Sequence, residues 1–182
     1  MKKLLFLATF TSFFICGLYM PNQVNAEPKY VGVSQCKKCH KKEEEGNQFG
    51  KWEKEKHSKA YETLGTEEAK KQGKKLGVDD PQKSPKCLKC HVTGYGEPET
   101  KFEKSFKVED GVQCESCHGA GSDYKKKEIM KDNDKSIAAG LIKPDEKACK
   151  TCHNKDAPTF KSFDFEKAMK KIEHKNPKKE KK

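Results

Sequence analysis

Arginine is absent from this chain: all 39 basic residues among its 182 are lysine. Bidentate recognition of phosphate or of base edges, the usual work of a guanidinium, is therefore unavailable. Nucleic-acid binding is a poor inference from the formal net charge of +11. Apolar residues are scarce as well, at 32% against 37% charged. A chain this polar drifts towards the disordered class unless something other than side chains fills its interior. Long hydrophobic runs are missing except at the N-terminus, where Leu4 to Tyr19 is short for a membrane span and is followed by Pro21. Lys2 and Lys3 before that stretch and Val24-Asn25-Ala26 after it read as a secretory signal peptide over 1–26. A retained anchor is the competing reading. Lipidation of Cys16 would want a smaller neighbour than Ile15. The mature chain is expected to work outside a bacterial or archaeal cytoplasm, in the periplasm or otherwise exported, with no stable membrane insertion after cleavage.

What is present is a pattern. Apart from Cys16, every cysteine falls in one of four pentapeptides: CKKCH at 36–40, CLKCH at 87–91, CESCH at 114–118 and CKTCH at 149–153. With six His in 182 residues, chance would set one behind each of the four second cysteines roughly once in a million. On a helix, Cys at i, Cys at i+3 and His at i+4 share one face. Two thiols can then add to the two vinyl groups of a haem while the imidazole meets its iron. Zinc knuckles need no His after each Cys pair, and a disulfide scaffold explains neither the His nor the uniform spacing.

The expected cofactor is four covalent haem c groups, attached through Cys36, Cys39, Cys87, Cys90, Cys114, Cys117, Cys149 and Cys152. His40, His91, His118 and His153 are the expected proximal ligands. The expected fold class is mainly α, with little regular structure beyond helices and an interior built largely from haem. Without haem the chain should not fold. The +11 falls to +9 when Lys2 and Lys3 leave with the signal. Eight propionates and four ferric cores would bring the oxidised protein to about +5.

Along the chain, the pattern predicts a domain over 27–175 and a basic, solvated tail over 176–182. Ser34 can cap a helix bearing the first motif, and a second helix from about Gln48 to Leu64 carries Trp52 and His57. Thr66, Glu67 and Glu68 open a Lys-rich helix that Gly77 can end. Ser84-Pro85 starts the second motif's helix. Residues 92–112 are irregular, with a short strand near Phe102–Val108. A helix is expected near Ser122–Lys131. Pro144 and Asp145 open the fourth motif's helix, and Asp164 caps a last one running through His174. The motif intervals are unequal, so this is no solenoid.

Three stretches are similar to the tetrahaem cytochrome c-554 family: VGVSQCKKCH with KWEKEKHSKA, GVQCESCHGAGSDY, and FDFEKAMKKIEH. The resemblance covers most of the mature chain. It implies a mainly helical periplasmic electron carrier with haems in closely packed pairs. It also implies that His57 serves the Cys114/Cys117 haem, that His174 serves the Cys149/Cys152 haem, and that the second haem is five-coordinate.

Sixth ligands are in short supply. Only His57 and His174 are spare imidazoles, and Met130 and Met169 are the only methionines beyond the signal. In the resembling family the first haem takes a His from the stretch after the third motif. Here Met130 lies near that place and is the expected ligand. Met169 stands five residues before His174, roughly 140° around a shared helix, and is expected to pack with Phe163, Phe165 and Ile172. The haem of His91 is left without an evident partner and can take a small gaseous ligand. Trp52 is expected against a haem.

The reading that follows is an electron carrier exchanging electrons with redox proteins that present acidic docking surfaces to its lysines. The alternative is a small nitrogen-oxide reductase acting at the His91 haem. No catalytic constellation is legible there.

Overall fold

The computed structural model describes residues 27–177. The expected signal peptide with Cys16, and the tail beyond Pro177, lie outside them.

Short helices joined by turns make up the described residues, and no strand forms among them, as the expected mainly α class requires. The first motif rides on α1 (Val33–His40). Next come α2 (Gln48–Lys54), a 3-10 turn at Lys56–Lys59, α3 (Ala60–Thr63) and α4 (Glu67–Lys75). The second motif lies on α5 (Pro85–His91) and the third on α6 (Cys114–His118). α7 (Lys127–Met130), α8 (Asn133–Ala138), α9 (Glu146–Lys150) and α10 (Phe165–Ile172) complete the chain.

Local signals explain many boundaries. The Thr66 side chain accepts from Ala69 N, Asp145 from Ala148 N and Asp164 from Lys167 N, each satisfying a free N–H at a helix start. Ser84 and Pro85 open α5 as expected.

Elsewhere tertiary contacts override the local pattern. Ser34 does not cap α1; the helix starts after Gly32, and Val33 N donates instead to Gln113 Oε1 at 2.8 Å. The helix expected from Gln48 to Leu64 breaks at Glu55, whose ψ of 159° is extended. Ser58 Oγ donates to the carbonyls of Glu53 and Glu55 there, holding the break and turning His57 to a new direction. The strand near Phe102–Val108 reduces to a single parallel bridge between Tyr30 and Phe102. The aromatic cluster bends this segment: Tyr30 stacks on Phe102 at 5.3 Å, and Phe102 meets Phe106 at 4.6 Å. The helix expected over Ser122–Lys131 shrinks to α7; at its expected start Ser122 N donates to Lys29 O, tying the chain to the N-terminal segment.

Among the described residues seven apolar side chains are buried: Val31, Val33, Phe49, Leu64, Val78, Val92 and Tyr124. At about 1.5–3 kcal/mol each, they are a thin core for a chain of this length. A polar knot shares the centre. Gln113 N donates to Thr93 Oγ1 at 2.7 Å, Gln113 Nε2 to Lys107 O at 2.8 Å, and the Thr93 and Ser116 hydroxyls meet at 2.7 Å. No buried side-chain polar atom among the described residues lacks a partner. This knot ties the first, second and third motifs together, so the distances between their cysteines are set by hydrogen bonds more than by packing.

Candidate haem-binding site

The apolar surface missing from the core lines a cleft. Its cavity volume is about 270 Å³. Cys36 and His40 of the first motif enter it beside Cys114, Cys117 and His118 of the third. Phe49, Trp52, Met130 and Ile172 add apolar walls, and His57 and His174 complete the ring-bearing set. Trp52 is held there by its own hydrogen bond, Nε1 to Val112 O at 2.8 Å.

Two imidazole pairs define the chemistry. His57 faces His153 with ring centres 5.9 Å apart. His174 faces His118 at 6.0 Å. Metal–nitrogen bonds of about 2 Å and about 1 Å from each nitrogen to its ring centre put two imidazoles about 6 Å apart across one metal ion. Both pairs have that spacing. The expected pairing is thereby reversed: His57 stands against the fourth motif and His174 against the third. The break at Glu55 is the reason for the first, since it carries His57 off the helix axis. For the second, α10 stops at Ile172 and Glu173 turns extended, with ψ 138°. His174 therefore lies beyond the helix, and its angular relation to Met169 does not follow a helical count. Phe163 stacks on the His153 ring at 4.9 Å and supports that imidazole.

Orientation of the rings is fixed from behind. His91 Nδ1 lies 2.7 Å from Ala60 O, His118 Nδ1 3.0 Å from Ile142 O, and His174 Nδ1 2.9 Å from Ile172 O. A carbonyl only accepts, so Nδ1 carries the proton and the Nε2 lone pair is free for a metal. His40 Nδ1 has Gln48 Oε1 at 3.3 Å. Burial pushes His57 and His118 below the ordinary histidine value, which favours the neutral, ligating form.

The eight motif cysteines are free thiols, none joined in a disulfide. They come together by motif. The Cys36 thiol lies beside that of Cys114, which lowers the pKa of Cys36 and raises that of Cys114. The Cys90 thiol lies beside that of Cys152, and burial with the neighbouring thiol pushes Cys90 up to about 11. The first motif therefore lies against the third and the second against the fourth. In the fourth motif α9 ends at Lys150, and Cys152 and His153 follow in a turn whose His153 N to Cys149 O bond of 3.0 Å keeps helical spacing.

Free paired thiols, imidazoles whose Nδ1 faces a carbonyl and two facing ring pairs about 6 Å apart fit covalently attached haem c, the site that defines a c-type cytochrome. Residues 35–119 match the sequence model of the family described as cytochrome c554 and c-prime. The chain is 33% identical over 104 residues to cytochrome c-554 of Nitrosomonas europaea, a match covering 55% of this chain and 42% of that protein. It spans less than half the length of that curated relative. The solved structure of reduced cytochrome c554 from Nitrosomonas europaea shares the fold, with a TM-score of 0.60 and 23% identity over 83% of this chain and 86% of the other. In sequence over its first three motifs, and in fold, the chain is similar to these cytochromes c-554.

Sequence reasoning missed one buried group. Glu115 is 2% exposed and accepts three backbone N–H bonds inside the protein. A signal existed, because it is the only acid between the two cysteines of any motif.

Proposed function

We propose that the chain is an exported tetrahaem c-type cytochrome that passes electrons between redox proteins. The observation that carries this reading is the pair of facing imidazoles at 5.9 and 6.0 Å. Such bis-imidazole sites hold iron closed to substrate and suit outer-sphere transfer. The fourth haem has His153 and His57 as axial ligands, and the third has His118 and His174. That commits both spare histidines. The first haem, held by His40, takes Met130, which lines the same cleft. The second, on His91, has no histidine left and is open. Four porphyrins fill the interior that the thin apolar core leaves. The abundant lysines suit partners with acidic docking surfaces. None of the described helices is long and apolar enough to cross a membrane, which fits a protein working outside the bilayer.

The shortage of ligands at His91 favours one second reading, reduction of a small nitrogen oxide at that iron. Stopped-flow mixing of reduced protein with an acceptor cytochrome decides between them. Fast exchange that slows as salt rises is expected, without steady consumption of nitric oxide, nitrite or hydroxylamine. Sustained turnover, lost on His91 substitution, would replace the carrier reading with the enzyme.

A further inference from the structure

The Glu115 carboxylate sits in a cradle of donors. Its Oε1 accepts from Val31 N at 2.8 Å and from Gly121 N at 2.7 Å, and its Oε2 accepts from Gly32 N at 2.8 Å. All three partners are N–H groups. A protonated carboxyl would turn a donor towards another donor, so this cradle accepts the ionised form. Burial raises the carboxyl above its ordinary value, and the three N–H groups offset part of that rise by favouring the ionised form. The space is built for it. A Cβ on Gly121 would come within 3.0 Å of Glu115 Oε1 and 3.1 Å of Val31. Gly32 takes a φ of +82° that aims its N–H at the carboxylate.

The position matters as much as the charge. Glu115 follows Cys114 directly, and the Cys114 thiol touches that of Cys36. The field of Glu115 reaches Cys36, Cys114 and Tyr124. Those thiols anchor the haems of the first and third motifs. Between their cysteines the other motifs carry Lys37-Lys38, Leu88-Lys89 and Lys150-Thr151, with no acid.

We propose that Glu115 is a fixed negative charge that holds down the reduction potentials of the first and third haems. This rests on the haem-bearing reading above. A ferric core carries one more positive charge than a ferrous one, so a nearby buried anion stabilises the oxidised state. Burial spares that attraction from screening by salt.

The test is a spectroelectrochemical titration of the haem-loaded protein and of Glu115→Gln. The expected result is an upward shift of two potentials, with the other two unmoved and the shift unchanged by added salt. Four unmoved potentials overturn the proposal, and so does a uniform shift of all four. If Glu115→Gln does not accumulate with its haems, the parent and Glu115→Asp decide by infrared difference spectra between oxidised and reduced protein. A carboxylate band that moves on reduction, and is altered in Glu115→Asp, is expected. A carboxylic C=O band in its place, or no band altered by the substitution, overturns the proposal. Haem count by haemochrome assay is measured on the same samples, and a parent without haem would sink the underlying reading and this one with it.

Discussion

His57 faces His153 across 5.9 Å, although 96 residues separate them in the chain. The two rings are inclined by 73°, with room for one metal ion between them. His57 comes from a 3-10 turn after a broken helix, and His153 from a turn after another. Neither ring is placed by a regular helix.

Haem content is the first expectation. Mature protein made with a haem-attachment system should carry four covalent haems, with intact mass and haemochrome assay in agreement. The same chain without haem should give the circular dichroism of a largely unfolded polypeptide, since seven buried apolar side chains do not offset its conformational entropy. Bound zinc and no haem would end the reading.

The reversed ligand pairing predicts different consequences for the two spare histidines. His174→Gly should open the third haem, in the cleft that Met130 also lines, and so disturb the neighbouring methionine-ligated haem. His57→Gly should open the fourth haem and leave the thioether-to-ferric absorption of the first unchanged. Each variant should gain one high-spin haem by electron paramagnetic resonance. The opposite pattern of disturbance would restore the pairing that the family resemblance implies.

Met130→Ala should abolish that thioether absorption and lower one potential, because thioether sulfur favours ferrous iron. Spectra and potentials identical to those of the parent would show that Met130 only packs in the cleft wall.

The His91 haem should be high-spin when oxidised and should bind carbon monoxide when reduced. Four low-spin irons inert to small ligands would remove both the open site and the reductase reading.

Gly32→Ala should destabilise the haem-loaded protein by about 1–3 kcal/mol, combining the strain of a positive φ with crowding. Its Cβ would stand 2.8 Å from both Phe106 Cα and Ser105 O. A thermal melt that matches the parent would show that the Gly32 turn relaxes freely.

Helix caps at Thr66, Asp145 and Asp164 were legible because a capping side chain and its N–H lie within one turn of chain. The break at Glu55 and the end of α10 before His174 were not, because distant groups or the local chain path decide them. Trp52 and His57 are held by the Val112 backbone, through Trp52 Nε1 to Val112 O and Val112 N to His57 O. Ser34 lost its capping role for the same reason, when Gln113 reached the start of α1 first.

The chain by itself determined the cofactor chemistry, because Cys-x-x-Cys-His places two thiols and an imidazole within five residues. It also determined the scarcity of sixth ligands, which is a count of side chains. Which imidazole meets which iron was left to tertiary structure. That choice depends on where two short helices stop and on a buried polar knot drawing the first and third motifs together. The role of Glu115 belongs there too: an acid between two cysteines becomes a buried charge only when Val31, Gly32 and Gly121 close over it.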